Sequence, residues 1–354
     1  MDNPAVSVIM PAFNAERFID EAIRSILSQT FRDFEFLIID DGSSDRTPAI
    51  LAEYARKDPR IRVLRNEQNA GIVVSLNRGL AEARGRYVAR QDADDTSFPN
   101  RIERQVAFLD EHPGVVAVTS EVLEIDAEGR TLRASRRRGD AVSVAWRLLF
   151  HNYFYPHSAV TFRLAPVREL GGYREAFRHC EDYDLWTRLA EVGDLVILPD
   201  TLLRYRVHSQ SVSQVFTSVQ TPLTLEVSAR ELGRLLGTGV PAGRAADLRA
   251  FWEGRSSESF EIIPVHRMLA RAYRAFLLRR KERGADLAAL ARSLRQEIAG
   301  AFLDWAPALA AQGRREAGLK ALCCGFWWHP RHTAARIAMA AGKRIRKRGR
   351  EGSA

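Results

Sequence analysis

The first 110 or so residues alternate short apolar runs with stretches in which apolar side chains recur every three or four positions. The short runs are typical of buried strands, and the recurring positions are typical of one face of an α-helix. Strands that alternate with helices in this way predict βαβ units, and therefore a mostly parallel sheet with helices on both faces. The predicted strands are Val6–Met10, Phe34–Ile39, Ile61–Leu64 and Tyr87–Arg90.

Two sequence signals mark where elements of this region end. Pro11 follows the first apolar run and is predicted to end the first strand. A helix is predicted over residues 71–83, with Gly85 just beyond it, where glycine commonly follows the C-cap of a helix.

Polar segments follow each of the four predicted strands. Because the carboxyl ends of parallel strands meet at one edge of a sheet, we expect these segments to converge there. The segments are Ala12–Arg17, Asp40–Asp45, Asn66–Gly71 and Gln91–Thr96.

The pattern becomes mixed after residue 112 and helical from about residue 218. Further strands are predicted near Val115–Thr119, Ala159–Arg163 and Leu195–Leu198. The predicted units are an α/β domain over 1–215, with halves 1–112 and 113–215, and a helical region over 216–354.

Most of the positive charge lies at the C-terminal end, because residues 331–354 contribute +7 to a formal net charge of +9. Cys180, Cys323 and Cys324 are too few for a disulfide framework and lack metal-ligand spacing, which predicts a cytoplasmic protein. Apolar runs fall short of the 18 or so residues of a membrane span. The N-terminus lacks a basic segment, so we expect no secretory signal.

Aromatic and apolar positions accompany the basic C-terminal segment. Trp327 and Trp328 precede it, and Ala334, Ile337, Ala338 and Ala341 recur at helical spacing. Such a basic amphipathic helix favours peripheral contact with the anionic, cytoplasmic face of a membrane. The alternative is a helix packed on the protein with a solvated basic end. Nucleic-acid binding is a weaker alternative, because no recognised module accompanies the tail.

Three carboxylates stand within four residues in the segment Asp92-Ala93-Asp94-Asp95, directly after the fourth predicted strand. Because like charges repel, such a cluster is kept when it is solvated or bound to a cation. Mg²⁺ and Mn²⁺ take carboxylate oxygens and commonly share coordination with substrate phosphates. An acidic surface turn before Pro99 is the alternative, but the position after a buried strand favours a metal site.

Three further features are ambiguous when each is taken alone. The Asp40–Ser43 segment fits an ordinary turn, or a carboxylate that binds a ribose or a base. Glu181 and Asp182 fit the start of a helix, where acidic residues are favoured, or a general base. His208 could ligate a metal or contact a phosphate, although a lone loop histidine usually does neither.

Together these segments resemble glycosyltransferase family 2, the inverting glycosyltransferases with the GT-A fold, over roughly residues 5–210. The matching segments are Val6–Asn14, Ser25–Phe34, Ile38–Asp45, Asn69–Gly71, Leu76–Leu80, Tyr87–Asp95 and Gly171–Trp186. The resemblance implies a Rossmann-like GT-A catalytic domain over 1–215, with a nucleotide-binding half at 1–112 and an acceptor half at 113–215.

The resemblance also implies roles for individual residues. Asp182 would be the catalytic base, and Asp94 would ligate Mn²⁺ or Mg²⁺ with His208 close by. Asp41 would contact the nucleotide base. The residues that would line the nucleotide-sugar site are Pro11, Ala12, Phe13, Asn14, Glu16, Asp41, Asn69, Gly71, Asp92 and Ala93.

The implied reaction is a single displacement that moves a sugar from a nucleotide sugar, with UDP as the expected nucleotide, to an acceptor hydroxyl. The acceptor would be a glycan or a lipid-linked molecule in surface polysaccharide or lipopolysaccharide assembly. The chain lacks the transmembrane helices and the Q-x-x-R-W motif of processive relatives, which favours addition of one or a few sugars.

Two other functions are alternatives to glycosyl transfer. A sugar nucleotidyltransferase usually has a glycine-rich loop after its first strand, and this chain has none there. A non-catalytic nucleotide-sugar-binding protein is disfavoured by the intact Asp92, Asp94 and Asp182.

Overall fold

The computed structural model describes residues 3–135, 137, 139–208, 216–255, 260–282 and 286–351, with the backbone alone at 217, 282 and 341–351. The chain forms two compact units, Met1–Val227 and Ser228–Ala354. The boundary after residue 215 and the division of 1–215 into two halves stay predictions.

The first unit is built on a sheet of nine strands, counted over the described residues. Its strands are β1 (Val6–Ala12), β2 (Phe34–Asp40), β3 (Ile61–Arg65), β4 (Tyr87–Arg90), β5 (Thr96–Ser97), β6 (Val115–Ile125), β7 (Thr131–Ala134), β8 (Thr161–Arg163) and β9 (Asp194–Arg206). Its helices are α1 (Ile19–Leu27), α2 (Thr47–Lys57), α3 (Ile72–Glu82), α4 (Arg101–Glu111), α5 (Ala141–Arg147), α6 (Leu164–Glu169) and α7 (Glu181–Val192). Two short 3-10 helices are His157–Ala159 and Glu175–Phe177.

Strand order explains how the polar loops meet. Strands β3, β2, β1 and β4 are parallel and lie side by side in that order. Because the chain leaves β1 toward β2 and β3 and returns to β4 on the other side, the carboxyl ends of β1 and β4 border a crevice. The sheet continues through β8, β6, β9 and β5, and β8 is antiparallel to both of its neighbours.

Side chains of β1 pack alternately on the two faces of the sheet. Val8 lies in a buried cluster with Ile23 of α1, whereas Ile9 lies in a second cluster with Leu76 of α3. Every residue of β1 is buried, which is why its sequence is a continuous apolar run. The predicted α/β architecture with helices on both faces is therefore confirmed.

Several predicted strand ends were wrong. Strand β1 continues through Pro11 to Ala12. Pairing with β4 stops at Ile9, so among the described strands Pro11 is paired with β2 alone, and proline is tolerated at such edges. Strands β6 and β9 are longer than predicted, and Ala159 belongs to a 3-10 helix before β8.

Gly85 does not follow the C-cap of α3, because that helix ends at Glu82 with Ala83 as its C-cap. A Cβ atom at Gly85 would lie 2.5 Å from the main-chain nitrogen of Ser7 and 2.6 Å from the carbonyl carbon of Val6. The Gly85 N–H also donates to Ser7 Oγ at 2.9 Å. The glycine is therefore needed for close approach to β1.

The second unit is helical, as predicted. Helix α8 (Thr217–Leu236) runs from the first unit into the second, and the others are α9 (Ala242–Glu253), α10 (Ile262–Glu282), α11 (Leu287–Ala311), α12 (Arg315–Trp328) and α13 (Pro330–Glu351). Its core is aromatic. Trp305 Nε1 donates to the Phe251 carbonyl at 2.8 Å, and Trp328 Nε1 donates to His266 Nδ1 at 3.1 Å. In the described part of the chain, no helix combines the length and apolarity needed to cross a membrane.

We predict that Gly85→Ala destabilises the first unit by about 1–3 kcal/mol, because an added methyl group meets main-chain atoms that have little freedom to move. Gly114→Ala is the matched control, since a Cβ atom there meets nothing within 4 Å. Urea denaturation followed by circular dichroism measures both. Equal midpoints for the two variants would contradict the close-approach explanation.

Candidate active site

The loops that follow β1 and β2 are joined by side-chain hydrogen bonds to the main chain. The Asn14 N–H donates to Ser43 Oγ at 3.0 Å, and the Ser44 N–H donates to Asn14 Oδ1 at 2.9 Å. The Arg46 N–H donates to Glu16 Oε2 at 3.0 Å. Asn14 has a φ of +46°, a left-handed conformation that asparagine adopts more readily than most residues. The two loops therefore form one connected rim of the crevice.

The other predicted nucleotide-site residues near this rim differ in exposure. Phe13 is 48% exposed, so its ring is available to a ligand. Ala12 is buried at the end of β1, as is Pro11. Asn69 is exposed on the loop after β3, and Ala93 is partly buried in the loop after β4. Their contacts with a nucleotide sugar stay predictions.

Asp41 holds the loop after β3 against the end of β2. Its Oδ1 accepts hydrogen bonds from Asn66 Nδ2 at 2.6 Å and from the Ala70 N–H at 3.0 Å. Its Oδ2 accepts a hydrogen bond from the Gly71 N–H at 2.8 Å. Gly71 has a φ of +93°, which glycine adopts without strain. Asp41 therefore positions the loop after β3. Its contact with a nucleotide base stays a prediction.

The acidic loop, Asp92–Asp95, brings three carboxylates together after β4. One oxygen each from Asp92, Asp94 and Asp95 lies within 4.8 Å of the others. His208 Nε2 lies 2.9 Å from Asp94 Oδ2, although 114 positions separate the two residues. Carboxylate oxygens are the donors that Mg²⁺ and Mn²⁺ favour, and the imidazole adds a nitrogen donor. These residues fit a divalent cation.

Asp95 differs from the other two carboxylates of the acidic loop. Its side chain is fully buried and accepts hydrogen bonds from the Ser158 hydroxyl and, at 2.7 Å, from the Arg206 N–H. Burial raises the pKa of the Asp95 carboxyl well above its usual range, and the charges of Asp94 and Asp92 add to the shift. Asp92 and Asp94 keep about a third of their side-chain surface exposed. Asp95 therefore anchors the loop, and the other two carboxylates face the crevice.

Three arginines, each at most 2% exposed, surround the acidic loop. Arg90 Nη2 donates to Asp92 Oδ1 at 2.6 Å, and Arg206 Nε donates to the Asp94 carbonyl at 2.8 Å. Arg101 Nη1 donates to the Arg90 carbonyl at 2.9 Å, and burial lowers the pKa of Arg101 to about 9. Sequence reasoning missed all three. The available signal was Arg90, a cation in an otherwise apolar strand.

Helix α7 begins at the Glu181-Asp182 pair and presents the predicted base. Asp182 Oδ2 accepts a hydrogen bond from Asn152 Nδ2 at 2.8 Å, and Oδ1 accepts one from the Tyr183 N–H at 2.7 Å. Burial raises the pKa of Asp182, the two hydrogen bonds oppose this shift, and the charge of Asp92 adds to it. The start of α7 and the acidic loop are thus electrostatic neighbours. No motif marked Asn152, so sequence reasoning missed it.

Several known proteins that match this chain are named as glycosyltransferases. The family model described as Glycosyl transferase family 2 matches residues 7–170. The chain is 39% identical over 193 residues to the putative glycosyltransferase EpsE of Bacillus subtilis, covering 54% of this chain and 68% of that protein. It is 30% identical over 244 residues to the amylovoran biosynthesis glycosyltransferase AmsE of Erwinia amylovora, covering 66% and 89%. The chain belongs to glycosyltransferase family 2.

Solved structures share the fold of this family 2 glycosyltransferase. Staphylococcus aureus TarS 1–349 in complex with UDP-GlcNAc matches with a TM-score of 0.55 and 18% identity, over 91% of each chain. The mannosyltransferase PcManGT from Pyrobaculum calidifontis in complex with GDP-Man and Mn²⁺ matches with a TM-score of 0.50 and 18% identity, over 92% of this chain and 88% of that one. These similarities confirm the predicted fold. Roles for Asp182 and His208, which lie beyond the family match, stay predictions.

We predict that Asp95→Ala destabilises the glycosyltransferase by about 2–4 kcal/mol, because it leaves buried hydrogen-bond donors without their acceptor. Asp94→Ala, in the same loop, is the matched comparison, and it removes a partly exposed carboxylate at much lower cost. Chemical denaturation of both variants without added metal measures the difference. Equal loss of stability would contradict the distinction between anchoring and crevice-facing carboxylates.

Proposed function

We propose that the enzyme transfers a sugar from a nucleotide sugar to an acceptor hydroxyl, with inversion at the anomeric carbon and with help from a divalent metal ion. The observation that carries this proposal is the proximity of two acidic groups at one crevice. His208 Nε2 lies 2.9 Å from Asp94 Oδ2 in the acidic loop, and the charge of Asp92 in the same loop acts on Asp182 at the start of α7.

In the proposed mechanism Asp182 acts as the general base. Its carboxylate takes the proton of the acceptor hydroxyl while the hydroxyl oxygen forms a bond to the anomeric carbon. The bond from that carbon to the diphosphate oxygen breaks, and its electron pair leaves with the nucleoside diphosphate. Asp94 and His208 would hold a Mn²⁺ or Mg²⁺ ion, which would neutralise charge on the departing nucleoside diphosphate. One displacement inverts the configuration.

Substrate classes are proposed from the relatives. AmsE is named for amylovoran biosynthesis, which supports an acceptor in surface polysaccharide or related glycan assembly. A UDP-GlcNAc complex of TarS supports a UDP-sugar as donor, and the Mn²⁺ complex of PcManGT supports a divalent metal. At the donor site, Phe13 and the loops held by Asn14, Glu16 and Asp41 would bind the nucleoside, and Asp92 would lie near the ribose.

We predict that the purified protein releases nucleoside diphosphate from one member of a panel of UDP-, GDP- and dTDP-sugars when Mn²⁺ is added. Asp182→Asn should lower the rate by about 10²–10⁴-fold, the usual contribution of a general base. Asp94→Ala should remove the stimulation by Mn²⁺. Luminescent detection of the released nucleoside diphosphate measures all three.

Glu169→Gln is the control for this experiment, since Glu169 is an exposed carboxylate on α6 and its variant should keep the wild-type rate. Full activity of Asp182→Asn would overturn the assignment of the base. Release of pyrophosphate in place of nucleoside diphosphate would identify a nucleotidyltransferase. Donor binding by calorimetry with no release, in the presence of crude glycan acceptor, would identify a non-catalytic binding protein.

We also propose that the helical unit contacts the anionic, cytoplasmic face of a membrane. Phe326 and Trp327 on α12, and Ile337 and Met339 on α13, are large apolar side chains exposed to solvent. Phe326 and Trp327 precede the segment 331–354, which carries +7, and Ile337 and Met339 lie within it. Exposed aromatic and aliphatic side chains beside a basic segment suit the headgroup region of an anionic leaflet.

The residues exposed at this proposed membrane-contacting surface differ from those predicted from the sequence. Trp328, expected beside Trp327 at the membrane, is buried in the helical unit and donates to His266. Ala334 and Ala338, predicted to share the face toward the membrane, are exposed. The side chains of Ala341 and of the basic residues from Lys343 onward lie outside the described residues.

We predict that the protein sediments with vesicles of phosphatidylglycerol and phosphatidylcholine but not with phosphatidylcholine alone. Neutralising four basic residues with Lys343→Gln, Arg344→Gln, Arg346→Gln and Lys347→Gln should abolish this binding, since each contributes about 1 kcal/mol near an anionic surface. Trp327→Ser should weaken binding, whereas Leu278→Ser, at another exposed apolar residue, should not. Equal sedimentation with both vesicle types, or preference for an added oligonucleotide, would overturn the proposal.

A further inference from the structure

Glu181 and Asp182, the carboxylate pair at the start of α7, stand in different hydrogen-bonding environments. Both side-chain oxygens of Asp182 accept hydrogen bonds, Oδ2 from Asn152 and Oδ1 from the Tyr183 N–H. Glu181 is only 7% exposed, and within the described part of the chain its Oε2 has no hydrogen-bond partner. Donors stabilise the charged form of a carboxyl. Main-chain hydrogen bonds lower the pKa of Glu181 too, but among the described residues both oxygens of Asp182 have a donor whereas Glu181 Oε2 has none, which favours charge on Asp182.

Asn152 is held in place by contacts beyond its bond to Asp182. The Tyr183 hydroxyl donates to the Leu148 carbonyl at 2.7 Å, which joins α7 to the segment that carries Asn152. Asn152 Oδ1 is buried and finds no donor among the described residues, so the bond to Asp182 is the interaction that its amide makes. A buried carbonyl oxygen without a donor is costly, which is expected where the position serves the site.

The carboxylate pair also interacts with charged and titratable groups around it. They are Asp92 of the acidic loop, Arg90 of β4, Tyr173 before the second 3-10 helix, and Cys180 directly before the pair. Asp184, in the same helix as the pair, forms an ion pair with Arg188 at 2.8 Å. Burial raises the pKa of Glu181 to about 7, the charge of Asp182 adds to that shift, and Arg90 opposes it.

We propose that Asn152 is a positioning residue for the transfer reaction, which orients the Asp182 carboxylate and places the negative charge of the carboxylate pair on Asp182. The proposal rests on the proposed function, in which Asp182 is the base. Two adjacent carboxyl groups that interact strongly titrate as a pair, and the difference between their environments decides which of them stays charged. The hydrogen bond from Asn152 makes the two environments unequal. It also leaves the second lone pair of Asp182 Oδ2 for the acceptor hydroxyl.

The first test is the pH dependence of nucleoside diphosphate release from the active donor with Mn²⁺. Protonated Asp182 accepts no proton, so the rate falls as the pH drops below its pKa. Asn152→Asp keeps the shape of the side chain but replaces the donor by an oxygen. The acidic limb of the pH–rate profile, where the rate falls with decreasing pH, should therefore move to higher pH by about one unit or more. The kcat should fall about 10–100-fold with little change in the KM for the donor. Asn152→Ser, which retains a hydroxyl donor, should recover part of the loss.

Asn77→Ala is the matched control, because the hydrogen bonds of the Asn77 side chain to described residues are all to main-chain groups. Its Nδ2 donates to the Tyr173 carbonyl at 2.8 Å, and its Oδ1 accepts from the Tyr173 N–H at 2.9 Å. This variant should lower the melting temperature without moving the acidic limb. If Asn152→Asp lowers kcat but leaves the limb in place, Asn152 is merely structural and the proposal is overturned.

A second measurement needs neither donor nor catalysis. In protein labelled with ¹³C at the aspartate carboxyl, the Asp182 signal is assigned by its loss in Asp182→Asn. Its titration midpoint should rise in Asn152→Leu by about one pH unit or more. An unchanged midpoint overturns the proposal even if the variant is inactive. Absence of diphosphate release from the wild type would instead count against the proposed function, and the titration would still decide the role of Asn152.

Discussion

Arg90, Arg101 and Arg206 place positive charge beneath the acidic loop in a region almost closed to water. A buried charge without a partner costs several kcal/mol, so these guanidinium groups and the carboxylates beside them require one another. Arg206 connects residues that are far apart in the sequence. Its Nη2 pairs with Glu21 of α1 at 2.5 Å, and its main-chain N–H donates to Asp95. The position of the acidic loop therefore depends on the end of β9, far along the chain.

This dependence explains the form of the sheet. Strand β8 lies between β4 and β6 and runs antiparallel to both. Its insertion carries Ser158, just before the strand, to the buried Asp95, and the segment before it carries Asn152 to Asp182. The part of the sheet from β8 onward therefore provides side chains that hold the acidic residues of the crevice in place. The loops after β1 and β2 form the rim of the crevice.

Sequence patterns predicted β1, β2 and β4 well, because strands buried on both faces are mostly apolar runs. They failed where a tertiary contact decides the outcome. Gly85 is set by its approach to Ser7, and Trp328 by a bond to His266 across 62 positions. Among site residues, the acidic clusters stand out as local runs. Asn152 has no local signature, because its partner lies 30 positions away.

The same chemical group serves two purposes at this crevice because its surroundings differ. In the acidic loop, Asp92 and Asp94 remain partly exposed, so they keep access to solvent ions while Asp95 anchors them. At the start of α7, Glu181 is buried and Asp182 is partly buried, and burial raises the pKa of both. Partly exposed carboxylates suit a site that exchanges a cation and a charged leaving group, since hard cations bind ionised oxygens. Carboxylates whose pKa is raised by burial suit proton transfer, since their affinity for a proton is higher.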